Sequence, residues 1–415
     1  HIMAEGWSRF AVRFSDYYNS ISTDSIWMPP RFRSREWMFI PFGGGTPIRH
    51  KSFSDMDSVR RFVCERPQHS CFYSTAYWKK PHELRMADKD WLGADLIFDL
   101  DGDHLPGVSD GDFPTMIHVI QEQAHQLWTD FLEPEFGFDR KYLQVTFSGH
   151  RGFHLHYRAP DIWGLDPQAR RELVSHIRGE GVDIQVLLNG PDCQWKRRIY
   201  SGVDSVINRL DTANRDDSEG RLALKELKAI IDSRIGTPGC KVSSCGVKSI
   251  QTIAEKINDG SGRRQRLIDG FDAGEIKRVF GGRRGGNEYD DIFLEMVKGD
   301  KTVVLGNAGE TDEVVTIDLK RVIRWPTSLH GKCGMKVVEF PLERLDPDGS
   351  NPFDPLTEAV PWKMGGNDVT VRALKSDVRY RIGSSEGELN EGEEYNVDDA
   401  TATFLVLKQW AEPVV

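Results

Sequence analysis

The sequence predicts an α/β protein of the α+β kind, in which mixed β-sheets are flanked by helices and a mainly helical segment is inserted between two parts of a core. Three observations predict it. Short apolar runs at 35–42, 94–101, 142–147 and 153–158 end on turn or acidic residues and have strand length. Residues 160–300 change to helical periodicity. Strand character then returns at 313–318 and 335–340, so the helical stretch interrupts a sheet-containing core.

Taken in order, residues 4–20 place Trp7, Phe10, Phe14 and Tyr17 at three- and four-residue spacing, an amphipathic helix that Met28-Pro29-Pro30 stops. His1-Ile2-Met3 reads as an expression scar. Strands at 35–42 and 49–53 flank a turn at Gly43-Gly44-Gly45, and a short helix follows at 55–64. The run ADLIFDLD at 94–101 reads as a buried strand with an acidic exit. A helix is expected over 113–132. Two strands, 142–147 and 153–158, meet through Ser148-Gly149-His150-Arg151-Gly152. The clearest helices of the insertion are 167–178, 221–232, 249–258 and 287–298, with loops at 211–220, 236–239 and 281–286. The tail holds strand-like runs at 369–374 and 378–382, an acidic stretch at 386–394 and an amphipathic end at 401–410. The expected organisation is therefore a core at 4–160, an insertion at 161–300, a return segment at 301–345 and an acidic extension at 346–415.

Hydrophobic residues make 39% and charged residues 28% of the 415 positions, the balance of a globular chain. No apolar run reaches the length of a membrane helix. The net charge of −10 would argue against nucleic acid if it were evenly spread. It is not: residues 341–415 hold seven Lys/Arg against fifteen Asp/Glu. The rest is nearly neutral and has basic clusters at Arg31/Arg33/Arg35, Arg49/His50/Lys51, Lys196–Arg198, Arg263/Arg264/Arg266 and Lys320/Arg321/Arg324. Taken singly, each cluster reads best as a solvated face. The six cysteines include no CxxC pair and read as free structural thiols.

Three segments carry chemistry. Asp99 and Asp101 stand at i and i+2 on a strand, so both carboxylates project from one face. Like charges this close call for a divalent cation, and an all-oxygen donor set suits Mg²⁺ or Mn²⁺. The second segment, Ser148–His154, sets a hydroxyl, an arginine and imidazoles around two glycines that let backbone approach a phosphate. The third, Arg324–Lys332, repeats the combination with Ser328, His330 and Lys332, and Asp312 and Asp318 precede it. Carboxylates with two phosphate-reading loops describe a metal–nucleotide site for phosphoryl transfer. DxD alone also occurs in nucleotide-sugar transferases.

The succession FDLD, SGHRGFH, an aspartate and SLHGK resembles the small catalytic subunit of the archaeal and eukaryotic DNA primases over residues 5–345. The resemblance implies a primase-type catalytic fold, and a DNA primase that makes short RNA primers on single-stranded DNA from ribonucleoside triphosphates. It implies two catalytic metals on Asp99, Asp101 and Asp312, with Asp318 as the alternative third ligand. It places Ser148, Arg151, His154, Arg324 and His330 at the incoming triphosphate, with Arg49 close to the nucleotide and Lys332 a further cation. A large subunit is the implied stable partner, no membrane is involved, and an archaeal source would put the protein in the cytoplasm with the nucleoid. Two departures stand out. Position 150 is histidine where relatives often carry arginine. No cysteine lies between Asp103 and Cys193, which argues against structural Zn²⁺ in the usual place. Alternatives are a stand-alone primase-polymerase using deoxynucleotides and a non-catalytic nucleic-acid-binding subunit.

Overall fold

The computed structural model describes residues 2–103, 105, 108–179, 183–300 and 316–414, with side chains from residue 9 onward. Two compact units divide the chain. One comprises His1–Trp128, Phe138–Val174 and Glu310–Val415, the other Thr129–Gly137 and Ser175–Gly309.

The first unit opens with α1 (Ile2–Ser20), which buries Phe14 and Tyr18. Then come β1 (Trp37–Pro41), β2 (Ile48–Lys51), α2 (Met56–Glu65) and β3 (Gln68–Ser74). Asp55 caps α2 by accepting from the Ser58 N–H at 2.8 Å, and Val59 and Val63 face inward. A small hairpin, β4 (Ala76–Trp78) with β5 (Trp91–Ala94), leads into β6 (Leu96–Asp101). After α3 (Phe113–Gln126), β7 (Leu143–Phe147) and β8 (Gly152–Tyr157) form the expected hairpin.

Between the two core segments the chain is helical: α4 (Pro167–Arg178), α5 (Ile184–Asn189), α6 (Gln194–Ala213), α7 (Ser218–Arg234), α8 (Val247–Ile257), α9 (Arg263–Asp272) and α10 (Glu288–Gly299). Helix α6 buries Trp195, Ile199, Val203, Val206, Ile207 and Leu210, the stripe of a core helix, and packs on α7, α8 and α10.

The return brings β9 (Val322–Arg324) and β10 (Val338–Phe340). They complete two four-stranded sheets, ordered β2-β1-β3-β9 and β10-β7-β8-β6. An aromatic cluster around Trp37, Phe39, Tyr73 and Trp325 fills the core beneath the first sheet. The tail follows as α11 (Pro355–Glu358), β11 (Val369–Ala373), β12 (Val378–Ile382), β13 (Ser385–Leu389), β14 (Glu394–Val397), α12 (Asp399–Leu407) and β15 (Ala411–Pro413).

The architecture is α+β. Every pairing between these strands is antiparallel, rather than mixed as expected. Three of the pairs, β1–β2, β7–β8 and β12–β13, are hairpins joined by short connections, which only antiparallel strands allow. The strand expected at 313–318 differs too. Residues 313–315 lie outside the described ones, and Thr316 and Ile317 are helical. Residues 346–415 fall within the first unit. Among the described residues, no helix is long and apolar enough to cross a membrane.

Candidate active site

Strand β6 is an edge strand beside β8, with Asp99 opposite His154 and Asp101 opposite Gly152. Both carboxylates therefore emerge on one face where the strand ends. His154 is buried and sets Nε2 3.2 Å from Asp99 Oδ1, while its Nδ1 has no hydrogen-bond partner among the described residues. The histidines of the second motif, His150 and His154, and His156 beyond it are all buried. The Arg151 guanidinium spans the next two carboxylates, with Nη1 2.8 Å from Asp103 Oδ1 and Nη2 3.4 Å from Asp101 Oδ2. Burial raises the Asp101 carboxyl above its ordinary value; Arg151 pulls it down, and Asp99 and Asp103 push it up again. That residual repulsion is the feature a cation would relieve.

The turn between β7 and β8 is closed by its own serine. Ser148 Oγ accepts from the Gly152 N–H at 3.1 Å and the His150 N–H at 3.4 Å, which leaves its hydroxyl proton for an outside acceptor. Gly149 has φ +86°, and a Cβ there would meet His330 Cβ at 3.1 Å and Val337 Cγ2 at 3.2 Å. At Gly152 a Cβ would sit 2.2 Å from the Leu100 carbonyl oxygen. Glycine is required at both positions, at the first by conformation and contact and at the second by contact alone.

The third segment folds back on itself beside this turn. Thr327 N–H donates to the Val337 carbonyl at 2.9 Å and His330 N–H to that of Met335 at 2.8 Å. Cys333 Sγ donates to the Gly149 carbonyl at 2.8 Å, and the His330 and His150 rings lie 4.9 Å apart. His330 Nδ1 accepts from the Lys332 N–H at 3.2 Å, which assigns the ring proton to Nε2. Arg324, on β9, donates to Ser70 Oγ at 3.1 Å and stacks 4.8 Å over Phe72. Burial pulls its pKa down to about 10, against Cys333, Asp99, Cys71 and Asp101. Burial, with Arg324 and His150 behind it, holds His330 well below the ordinary histidine value, so the ring is neutral at pH 7.

Ser148, Arg151, His154, Arg324 and His330 thus gather in one unit with Asp99 and Asp101. Asp312 lies outside the described residues. The chain enters the described region at Thr316, whose Oγ1 donates to the Ile97 carbonyl of β6 at 2.6 Å. Asp318 is in a turn, 3.5 Å from Arg321. Among the described residues, no three His, Cys, Asp or Glu side chains converge as a metal site. Asp99 and Asp101 are nonetheless fitting partial ligands, being hard, mutually repelling oxygen donors at a strand end. Arg49 stands apart, on β2, with Nη2 3.6 Å from Glu36 Oε1.

Two features were missed in the sequence. Lys408, just past α12, donates from Nζ to His150 Nε2 at 2.9 Å. Nothing in the local pattern at 401–410 marks it as a neighbour of residue 150. The other is a buried ionic hub behind the site. Asp95, one residue before β6, accepts from Arg35 Nη2 at 3.0 Å, Arg158 Nε at 3.0 Å and the Tyr77 hydroxyl. Arg170 donates to the Asp95 carbonyl at 2.8 Å. Arg35 had read as part of a solvated patch. Arg198 had as well, and it is buried against Asp130.

A model of the family described as DNA primase small subunit matches residues 98–340. The chain is similar to the DNA primase small subunit PriS of Halobacterium salinarum, 34% identical over 367 residues and 86% of each chain. It is similar also to that of Methanothrix thermoacetophila, 30% identical over 424 residues and 97% of each. The PriS of Haloarcula marismortui is 31% identical over 407 residues and 96% of each.

Proposed function

Because this chain belongs to the DNA primase small-subunit family, we propose that it is a DNA primase that synthesises short RNA primers on single-stranded DNA by two-metal nucleotidyl transfer. The observation that carries this reading is the pair Asp99 and Asp101 at the end of β6, faced by Arg151 and His154. Asp99, Asp101 and Asp312 would hold two Mg²⁺ or Mn²⁺ ions. When bound, such ions ease ionisation of a 3′-hydroxyl and offset the charge of the leaving pyrophosphate.

The other roles belong to the chain's own side chains. His154 holds one Asp99 oxygen, which leaves the other for a cation. Arg151 provides a permanently charged fork next to the carboxylates, suited to phosphate oxygens. Ser148 Oγ–H and His330 Nε2–H donate to the triphosphate, and Arg324 supplies a buried positive charge. Because His330 is held neutral, it donates a hydrogen bond without bringing a proton that titrates near pH 7. Arg49 belongs to the nucleotide surroundings in this reading, reached from β2. Lys and Arg contacts to the template backbone make the grip weaken with salt. A large subunit joins as a heterodimer and helps to place the first two nucleotides.

The test is templated incorporation on single-stranded DNA by the chain, alone and with a large subunit, with ribo- and deoxynucleotides compared. Ribonucleotide products of short length support the reading. Exclusive use of deoxynucleotides would favour the stand-alone primase-polymerase, and no incorporation under either condition would favour a non-catalytic subunit.

A further inference from the structure

The C-terminal residues 346–415 have no part in the motifs that carry the proposed chemistry, yet one of their side chains ends inside it. Helix α12 is capped by Asp398, which accepts from the Thr401 N–H at 2.7 Å, and its Phe404 packs edge-on against Phe113 at 5.0 Å. Arg13 ties the outer side of the helix to α1 through Asp399 at 2.7 Å. Trp362 Nε1 donates to the Gly334 carbonyl at 2.9 Å, which fastens the tail also to the turn that follows the third motif. Lys408 follows directly and is delivered to the turn between β7 and β8.

Its surroundings are unusual for an ammonium. Nζ donates to His150 Nε2 at 2.9 Å and stands 5.2 Å from the Phe113 ring and 5.0 Å from that of Trp410. Among the described residues it has no carboxylate within salt-bridge distance. Burial first, and then the cations Arg151, Lys332 and Lys375, disfavour its charge; the Cys333 thiol works against them, and the balance brings it down to about 8. His150 offers a lone pair only, since burial and then Lys408 itself keep that ring well below the ordinary histidine value. A partly buried cation among cations, with two aromatic faces and a neutral imidazole for company, lacks an anion. The side chains around it already include the donors of Ser148, Arg151 and His330.

We propose that Lys408 binds the triphosphate of the incoming nucleotide, so that the C-terminal helix completes the substrate pocket. This rests on the nucleotidyl-transfer reading above. One ammonium N–H is directed at His150 and two remain for phosphate oxygens. The imidazole at position 150 then acts as a seat that aims the lysine, so His150 is a positioning residue.

The experiment uses the full chain and compares wild type with Lys408→Met, which keeps the stem between the aromatic rings, and Lys408→Arg, which keeps the charge. Steady-state primer extension gives KM and kcat, and inorganic tripolyphosphate and a nucleoside monophosphate serve as competing ligands. Lys408→Met is expected to raise KM for the nucleoside triphosphate about 10-fold, as for loss of one charge-assisted contact. Its kcat should change little. Tripolyphosphate should lose affinity in parallel, monophosphate inhibition should stay within about 2-fold, and Lys408→Arg should restore most of the loss. An unchanged KM in an active Lys408→Met protein overturns the proposal, as does equal weakening of triphosphate and monophosphate, the mark of a merely structural role. A wild-type chain that neither extends primers nor binds tripolyphosphate overturns the nucleotidyl-transfer reading itself, and this inference with it.

Discussion

Replacing Asp95 by asparagine keeps the volume of the side chain and removes its charge. Its carboxylate is fully buried and serves both Arg35, also fully buried, and Arg158, whose side chain is only 11% exposed. Burial alone would raise its pKa; Arg35 and Arg158, with the Tyr77 hydroxyl, hold it below the ordinary carboxylate value. The substitution would strand two guanidinium groups away from water with only an amide oxygen to share. Breaking such a pair costs ~3–5 kcal/mol, mostly through the charge left behind. For a unit of this size that is a fall in Tm of about 10 °C. Asp95 precedes β6 and Arg158 follows β8, so the strands bearing Asp99 and His154 are fastened at the end away from the site. Chemical denaturation followed by fluorescence and circular dichroism measures the loss. The sign of the pH dependence follows from the lowered pKa: the contribution of Asp95 is present above the unfolded carboxylate value and disappears as pH falls through the folded one. The difference between wild type and Asp95→Asn should be constant from pH 7 to about pH 5 and shrink below about pH 4. A variant within 1 kcal/mol of wild type at pH 7 would refute the assignment of the hub as a charged brace.

Gly152→Ala should destabilise the chain by about 1–3 kcal/mol, since the added Cβ meets the Leu100 carbonyl, whereas Gly164→Ala has open space and should be near neutral. Denaturant midpoints of the two variants decide it. Arg151→Gln removes the fork beside Asp101 and Asp103 and should raise the nucleotide KM about 10-fold or more with a smaller change in kcat. Primer-extension kinetics at saturating template check this, and an unchanged KM would contradict its place at the triphosphate.

Much of the site was legible because its parts are local. Asp99 and Asp101 share a strand face by alternation alone, and the β7–β8 turn is written in Ser148, Gly149 and Gly152. The helices at 167–178 and 287–298 announced themselves through periodicity. Strand β3 did not, because its inward positions include the polar Gln68, Ser70 and Ser74, which break the apolar run; Ser70 meets the distant Arg324 and Ser74 the N–H of Glu36. Helix α6 was hidden by the basic run at its start, where Arg198 turns inward to Asp130. The acidic tail misled for a similar reason. It is more than an acidic extension: Arg381 pairs with Asp354 and Arg344 with Glu358, and α12 brings Lys408 to His150. Contacts hundreds of residues apart leave no trace in local spacing.

The most direct measurement is templated ribonucleotide incorporation by Asp99→Ala/Asp101→Ala compared with wild type, with folding monitored by circular dichroism and Mg²⁺ and Mn²⁺ each tested. Both carboxylates are partly exposed at the end of β6, so the double variant should remain folded. Loss of synthesis by at least 100-fold with either ion, in a folded protein, is the predicted result. Synthesis that persists at the wild-type rate would contradict the assignment of these two aspartates as the catalytic centre.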